Sequence, residues 1–230
     1  MQLTSRLRHL LLAAISCSGL LPIGAVAAGS TQQEFMAVLR VMPNLERGAE
    51  LFRQCAACHG PSGNGSEQGD VPRIAGQHFN VLVRQIVDYR HDTRWDIRME
   101  HYAGRNVLGD AQAIADVAEY VSRLARDRPR NVGDGKLVEH GAEIYAKRCA
   151  GCHGPQGEGD DPGSIPRLAG QHYEYVLRQM YDAVDGRRPN FPRQHIRLLA
   201  HLERDDLVGI ADFLSRSEWT GPAEQLASAR

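Results

Sequence analysis

Methionine is scarce in this chain. Five occur in 230 residues: Met1, Met36, Met42, Met99 and Met180. A site that needs a thioether has few donors to draw on, and the stretch 185–204 contains none. Cysteine is equally sparse, with five at positions 17, 55, 58, 149 and 152, too few for a disulfide-dense scaffold. No stretch beyond residue 28 is long and apolar enough to span a bilayer. An excess of basic charge is also missing. The 27 Lys and Arg against 28 Asp and Glu give −1, which is not the footprint of a nucleic-acid-binding domain.

Residues 1–28 read as a secretory signal peptide. Arg6, Arg8 and His9 give a positive start, Leu10 to Ala28 is apolar, and Ala25-Val26-Ala27 offers a small-residue cleavage site. Pro22 and Gly24 interrupt the apolar run and disfavour a retained anchor. Cys17 is a weak lipoprotein cysteine, because Ala14 stands where leucine is usual. Cleavage removes two arginines and no acids, leaving 25 basic and 28 acidic side chains, a charge of −3. The expected location is the periplasm.

The four remaining cysteines fall into one pattern that occurs twice, Cys55-Ala-Ala-Cys58-His59 and Cys149-Ala-Gly-Cys152-His153, each followed by Gly-Pro. Two thiols three residues apart on one helical turn can reach both vinyl groups on one edge of a porphyrin. The next residue then lies under the ring, where its imidazole can ligate iron. This is the c-type haem attachment pattern. A structural zinc site would gather four ligands in one place, and a redox dithiol does not call for the histidine. Both haem motifs together use every cysteine after the signal, so no disulfide is left to form. Two covalent haem c groups are expected.

The offset of 94 from Cys55 to Cys149 recurs along the chain. It relates Gly63 to Gly157, Pro72-Arg73 to Pro166-Arg167, Ala75-Gly-Gln-His78 to Ala169-Gly-Gln-His172, and Arg84-Gln85 to Arg178-Gln179. It also relates His101 to His195 and Leu108 to Leu202. Two copies of one domain are therefore expected, at 44–126 and 138–217, joined by a linker at 127–137 rich in Gly and charge. Each copy is short for a self-sufficient core, and haem would supply much of the missing apolar surface.

Helical spacing places first helices at about 46–57 and 138–151, middle helices at 77–90 and 171–184, and last helices opening near Asp110 and near Asp205 or Asp206. Gly48 and Phe52 match Gly141 and Tyr145, and Tyr120 and Phe213 sit on the last helices. A glycine on one helix and an aromatic on the other suit a close crossing. Residues 29–43 and 218–230 are expected to be loose.

Both halves resemble class I cytochrome c domains, and the tandem resembles the dihaem cytochrome c4 type. The motifs that carry this are Cys-x-x-Cys-His-Gly, Pro-Arg-Ile/Leu-Ala-Gly-Gln and Ala-x-Tyr/Phe in the last helix, over residues 44–217. The resemblance implies an all-α fold of two tandem haem domains, with His59 and His153 as proximal iron ligands. It implies that the carbonyls of Pro72 and Pro166 accept from those imidazoles and so fix their tautomer. Cytochromes of this type carry a sixth-ligand methionine seven residues before a leucine that opens the last helix. Here that position is His101 in copy one and His195 in copy two. Met180 falls on the middle helix. In copy one Met99 competes with His101, but its counterpart is Arg193, which favours His101; in copy two His201 competes with His195, but its counterpart is Val107.

His78 and His172, a matched pair, read as structural, capping a helix or packing on a haem edge. His91, His140 and His201 are unmatched and read as surface residues. Most of the arginines crowding loops 90–105 and 187–204 read as a solvated face. Arg73 and Arg167, beside the structural prolines, are the candidates for haem propionate contact, and Trp95 is placed to pack on the first haem only. Irons held by two protein ligands pass electrons and bind no substrate. The expected function is therefore single-electron transfer between redox protein partners. Alternatives are a cytochrome subunit of a dehydrogenase acting on sulfide or thiosulfate, and a haem enzyme such as a peroxidase with one open iron.

Overall fold

A computed structural model describes residues 23–127 and 130–218, so most of the expected signal and of the C-terminal tail lie outside the described residues. Among the described residues there is no strand, only one isolated bridge between Asp160 and Ile165. The chain is all-α and forms two helical domains with separate cores.

Domain 1 is built on the crossing of α2 (Leu45–His59) and α6 (Ala111–Ser122). Asn44 caps α2 by accepting from the Arg47 N–H at 2.9 Å. Gly48 lies so close to α6 that a Cβ there would collide with the Asp116 carbonyl. One turn on, the rings of Phe52 and Tyr120 meet at 5.5 Å. Domain 2 repeats this with α7 (Val138–Arg148) and α11 (Arg204–Arg216). There Gly141 faces the Gly209 carbonyl, and Tyr145 meets Phe213 at 5.2 Å. The expected crossings are therefore both present. A buried aspartate of each last helix also pins the chain that enters the first helix. Asp116 accepts from the Asn44 N–H and Asp212 from the Gly135 N–H, both at 2.7 Å.

Several boundaries differ from expectation, for identifiable reasons. The first helix of domain 2 bends at Cys149 into α7 and the short α8 (Ala150–His153). The Cys149 carbonyl still accepts from Cys152 and His153, so both thiols stay on one turn. The middle helices α3 (Phe79–Arg90) and α9 (Tyr173–Val184) start two residues late, because Gln77 and Gln171 are drawn into the domain interface. α11 is capped by Glu203, with Asp206 completing a capping box rather than acting as the cap itself. Short helices occupy the segments between the middle and last helices: α4 (Ile97–Ala103) and α5 (Arg105–Leu108) in domain 1, and α10 (Arg193–Ala200) in domain 2.

The segment 29–43 is not loose. It contributes to α1 (Ile23–Val38), which packs on α3 and α6 and buries Phe35 and Val38 in the domain 1 core. The Arg84 guanidinium lies 3.6 Å over the Phe35 ring. Phe35 and Val38, at i and i+3, form the apolar part of its seat.

The domains meet through matched residues. Gln77 Nε2 donates to the Arg167 carbonyl and its Oε1 accepts from the Arg167 N–H, both at 2.9 Å. Gln171 makes the same pair with Arg73, at 2.8 and 2.9 Å. His78 Nε2–H donates to the Glu158 carbonyl and His172 Nε2–H to the Asn64 carbonyl, each at 2.8 Å. Since an offset of 94 relates each residue to its partner's counterpart, the contact is isologous about a local two-fold axis. His78 and His172 are thus interface residues, and neither side chain caps its helix.

Candidate haem-binding sites

The four cysteines of the two repeated motifs lie on the last turns of α2 and on the bend from α7 into α8. Cys55 and Cys149 are half-buried, whereas Cys58 and Cys152 are exposed, and all four are free. Burial pushes the Cys55 and Cys149 thiols up to about 11. A redox dithiol needs the opposite, a lowered thiol. Among the described residues no three His, Cys, Asp or Glu side chains gather as a closed zinc site requires.

His59, the expected ligand of copy one, ends α2, and His153, its counterpart, ends α8. His59 Nδ1 lies 2.9 Å from the Pro72 carbonyl, and His153 Nδ1 lies 3.3 Å from the Pro166 carbonyl. A carbonyl can only accept, so Nδ1 carries the proton and Nε2 keeps its lone pair for a metal. Burial, the largest influence on each ring, lowers both pKa values and favours the neutral, ligating form.

In domain 2 the opposite side of the site is occupied by His195 on α10. Its ring centroid lies 6.0 Å from that of His153, a span that fits one metal ion bonded to both rings at about 2 Å. Phe191 packs edge-on against His195 at 4.8 Å and steadies it. Burial, then the His153 and Arg188 charges, push the His195 ring down to about 4. His201 is exposed at the C-cap of α10, and Met180 is buried in α9 among the domain 2 core. In domain 1, α4 presents two donors. Asp96 caps this helix through the Arg98 and Met99 N–H groups, at 3.0 and 3.2 Å. Met99 is half-buried, whereas His101 is exposed and set edge-on to Tyr102 at 5.2 Å. Trp95 is 58 % exposed, with its indole N–H on the Asp92 carbonyl, so it is a surface residue here.

The arginines are redistributed relative to expectation. Arg73 and Arg167 direct guanidinium groups across the interface, Arg73 to the Gly170 carbonyl at 2.6 Å and Arg167 to that of Gly76. Arg73 is buried there and Arg167 half-buried. Arg73 Nε stays buried without a hydrogen-bond partner, a donor that a haem carboxylate could take. Of the matched pair Arg94 and Arg188, Arg94 is buried and Arg188 half-buried at the same axis, so neither is simply solvated. Arg94 donates to the Tyr175 hydroxyl and to Gln179, both at 2.8 Å, and also to Gln85. Arg188 donates to Gln179 at 2.9 Å and Gln85 at 3.2 Å. Burial pulls Arg188 down to about 10. The carboxylate of this cluster is Asp88, reached through Asn190 at 2.8 Å. His91, expected at the surface, is instead paired with the buried Glu34 at 2.6 Å. Sequence reasoning missed Arg94 and Arg188 as a matched interface pair, although the 94-residue offset links them.

The family model described as cytochrome c matches residues 45–125 and again 138–216. Cytochrome c4 of Azotobacter vinelandii is 33 % identical over 176 residues, covering 70 % of this chain and 82 % of that protein. A thiosulfate dehydrogenase electron acceptor of Stutzerimonas stutzeri is 28 % identical over 171 residues, covering 70 % of this chain and 77 % of that one. The crystal structure of reduced cytochrome c4 from Pseudomonas stutzeri superposes with a TM-score of 0.68 at 25 % identity, covering 77 % of this chain and all of that chain.

Proposed function

Since the chain belongs to the cytochrome c family, as a tandem of the c4 type with two covalently bound haem c groups, we propose that it is a periplasmic carrier of single electrons between redox proteins. When bound, the haems supply one-electron chemistry. The chain supplies attachment through Cys55, Cys58, Cys149 and Cys152, and fixed imidazoles through Pro72 and Pro166. The second iron takes His153 and His195. The first takes His59 and a side chain of α4, with His101 at the repeat-matched position and Met99 as the less exposed donor. Arg94, buried, and Arg188, half-buried, are two cations beside the Asp88 carboxylate, which favours haem carboxylates as further counter-charge. The expected signal peptide places the protein outside the cytoplasm. A cut after residue 27 or 28 leaves the part of α1 that packs on domain 1.

The observation that carries this reading is the opposition of His195 to His153. A site closed by protein on both sides has no place for substrate. The reduced protein should therefore bind carbon monoxide slowly at the second haem. Rapid uptake there would favour a haem enzyme. In the ferric protein, the near-infrared methionine band should be absent if His101 ligates, and present for one haem only if Met99 does. A second reading, a cytochrome subunit serving a dehydrogenase, is favoured by the similarity to the thiosulfate dehydrogenase electron acceptor. Co-purification of a dehydrogenase from native periplasm would establish it.

A further inference from the structure

Among the described residues, domain 1 has a brace that domain 2 lacks. α1 lies outside both segments that match the family. Its Glu34 is 7 % exposed, yet it is fully engaged. Arg90 Nη1 reaches it at 2.8 Å, His91 Nε2 at 2.6 Å and Arg105 Nη2 at 3.0 Å. Arg90 and His91 end α3, and Arg105 opens α5. The Arg90 side chain, 3 % exposed, also turns its Nε–H to the carbonyl of Ala103 at 2.7 Å. Ala103 is the last residue of α4, the helix that carries Met99 and His101. One carboxylate thus ties the end of α3 and the start of α5 directly, and the end of α4 through Arg90.

Domain 2 holds its corresponding helix differently. Val184 and Arg197 stand at the places of Arg90 and Ala103, so no such link exists. Instead Phe191 packs on His195, and Arg188 lies 4.3 Å over the Phe191 ring. The domain 1 counterpart of Phe191 is Ile97, which is 83 % exposed and steadies nothing. We infer that Glu34, acting through Arg90, is the positioning residue for the sixth-ligand helix of the first haem, and that α1 is the brace that delivers it. This rests on the reading that α4 supplies that ligand, whichever of Met99 and His101 it is.

The test uses the dihaem protein. In Glu34→Gln the carboxylate is lost at nearly constant shape. Carbon monoxide binding to the reduced variant should speed up by about tenfold or more at one haem, the factor set by loss of a charge-assisted hydrogen bond. The midpoint potential of that haem should shift and the other should not. Repeating the measurement with Cys149→Ala and Cys152→Ala identifies the responding haem as the first. Gln32 lies on α1 with Glu34 but accepts from Arg84 of α3, and Gln32→Ala should change neither haem. Arg90→Lys keeps α1 and the Glu34 charge pair but loses the reach to Ala103, and should act in the same direction even if Glu34→Gln folds poorly. Unchanged kinetics and potentials in Glu34→Gln and Arg90→Lys, with the first haem opened by joint replacement of Met99 and His101, would overturn the inference and leave the ligand reading intact. A first haem that stays closed after that joint replacement would overturn both.

Discussion

Replacing Gln171 by alanine should cost this protein more than replacing Gln77, although the two occupy matched positions. Each glutamine makes two hydrogen bonds to the backbone of the opposite domain. Each bond is worth about 1 kcal/mol net, and an orphaned buried group costs about 1–3 kcal/mol more. Water decides which figure applies. Gln171 is 6 % exposed and its partner Arg73 is 4 % exposed, so the Arg73 N–H and C=O would be stranded. Gln77 is only half-buried, so solvent can replace its side chain. The expected losses are about 3–5 kcal/mol for Gln171→Ala and about 1–2 kcal/mol for Gln77→Ala. Denaturant titration of the holoprotein, followed by both far-ultraviolet circular dichroism and Soret absorbance, measures both. Equal losses, or a larger loss at Gln77, would refute the claim that burial at the axis is unequal. Losses below about half a kcal/mol at both sites, the range of ordinary surface substitutions, would refute the interface itself.

Further outcomes follow from the sites. Denatured wild-type protein should weigh the polypeptide plus two haems, and Cys149→Ala with Cys152→Ala should retain one. His195→Met should raise one midpoint potential and leave the other nearly unchanged, because a thioether favours ferrous iron at its own centre; movement of both would contradict the assignment. Burial raises the Glu34 carboxyl, but hydrogen bonds from His91 and Arg90 and the charges of Arg90 and Arg105 outweigh it and hold its pKa below the usual value. Its stabilisation is therefore complete above the unfolded value of about 4.3 and is lost as pH falls through the lowered folded value. Hydrogen exchange in α1 should keep its protection from neutral pH down to that range and lose it below. Loss of protection already at mildly acidic pH would show that another group holds the helix.

The parts of this fold that depend on local chemistry were legible in the sequence. The 94-residue offset defines the two domains, Asp110 marks the start of α6, and Gly48 and Gly141 mark the tight crossings. The proline carbonyls were reachable through family resemblance. What stayed hidden depends on what faces what. That Arg73 and Arg167 also reach backbone carbonyls of the opposite domain shows only when the two loops are seen opposed across the axis. Arg94 and Arg188 look solvated for the same reason. α1 was missed because its seat is made by Phe35, Val38 and one buried ion cluster, and a short apolar pattern of that kind is common in loose segments. In the ligand loops, α4 owes its first turn to Asp96, a capping signal masked by the arginines around it.

The contact between the domains is self-complementary, since each half carries both sides of it. Two separated halves would pair with themselves as readily as with each other, and only at sufficient concentration. Joined through residues 127–137, each half meets its partner at an effective concentration on the order of millimolar, whatever the dilution of the protein. Fusion thus turns a dimer contact into a ruler. The spacing of the two redox centres is written into one polypeptide and does not vary with how much of it the compartment holds.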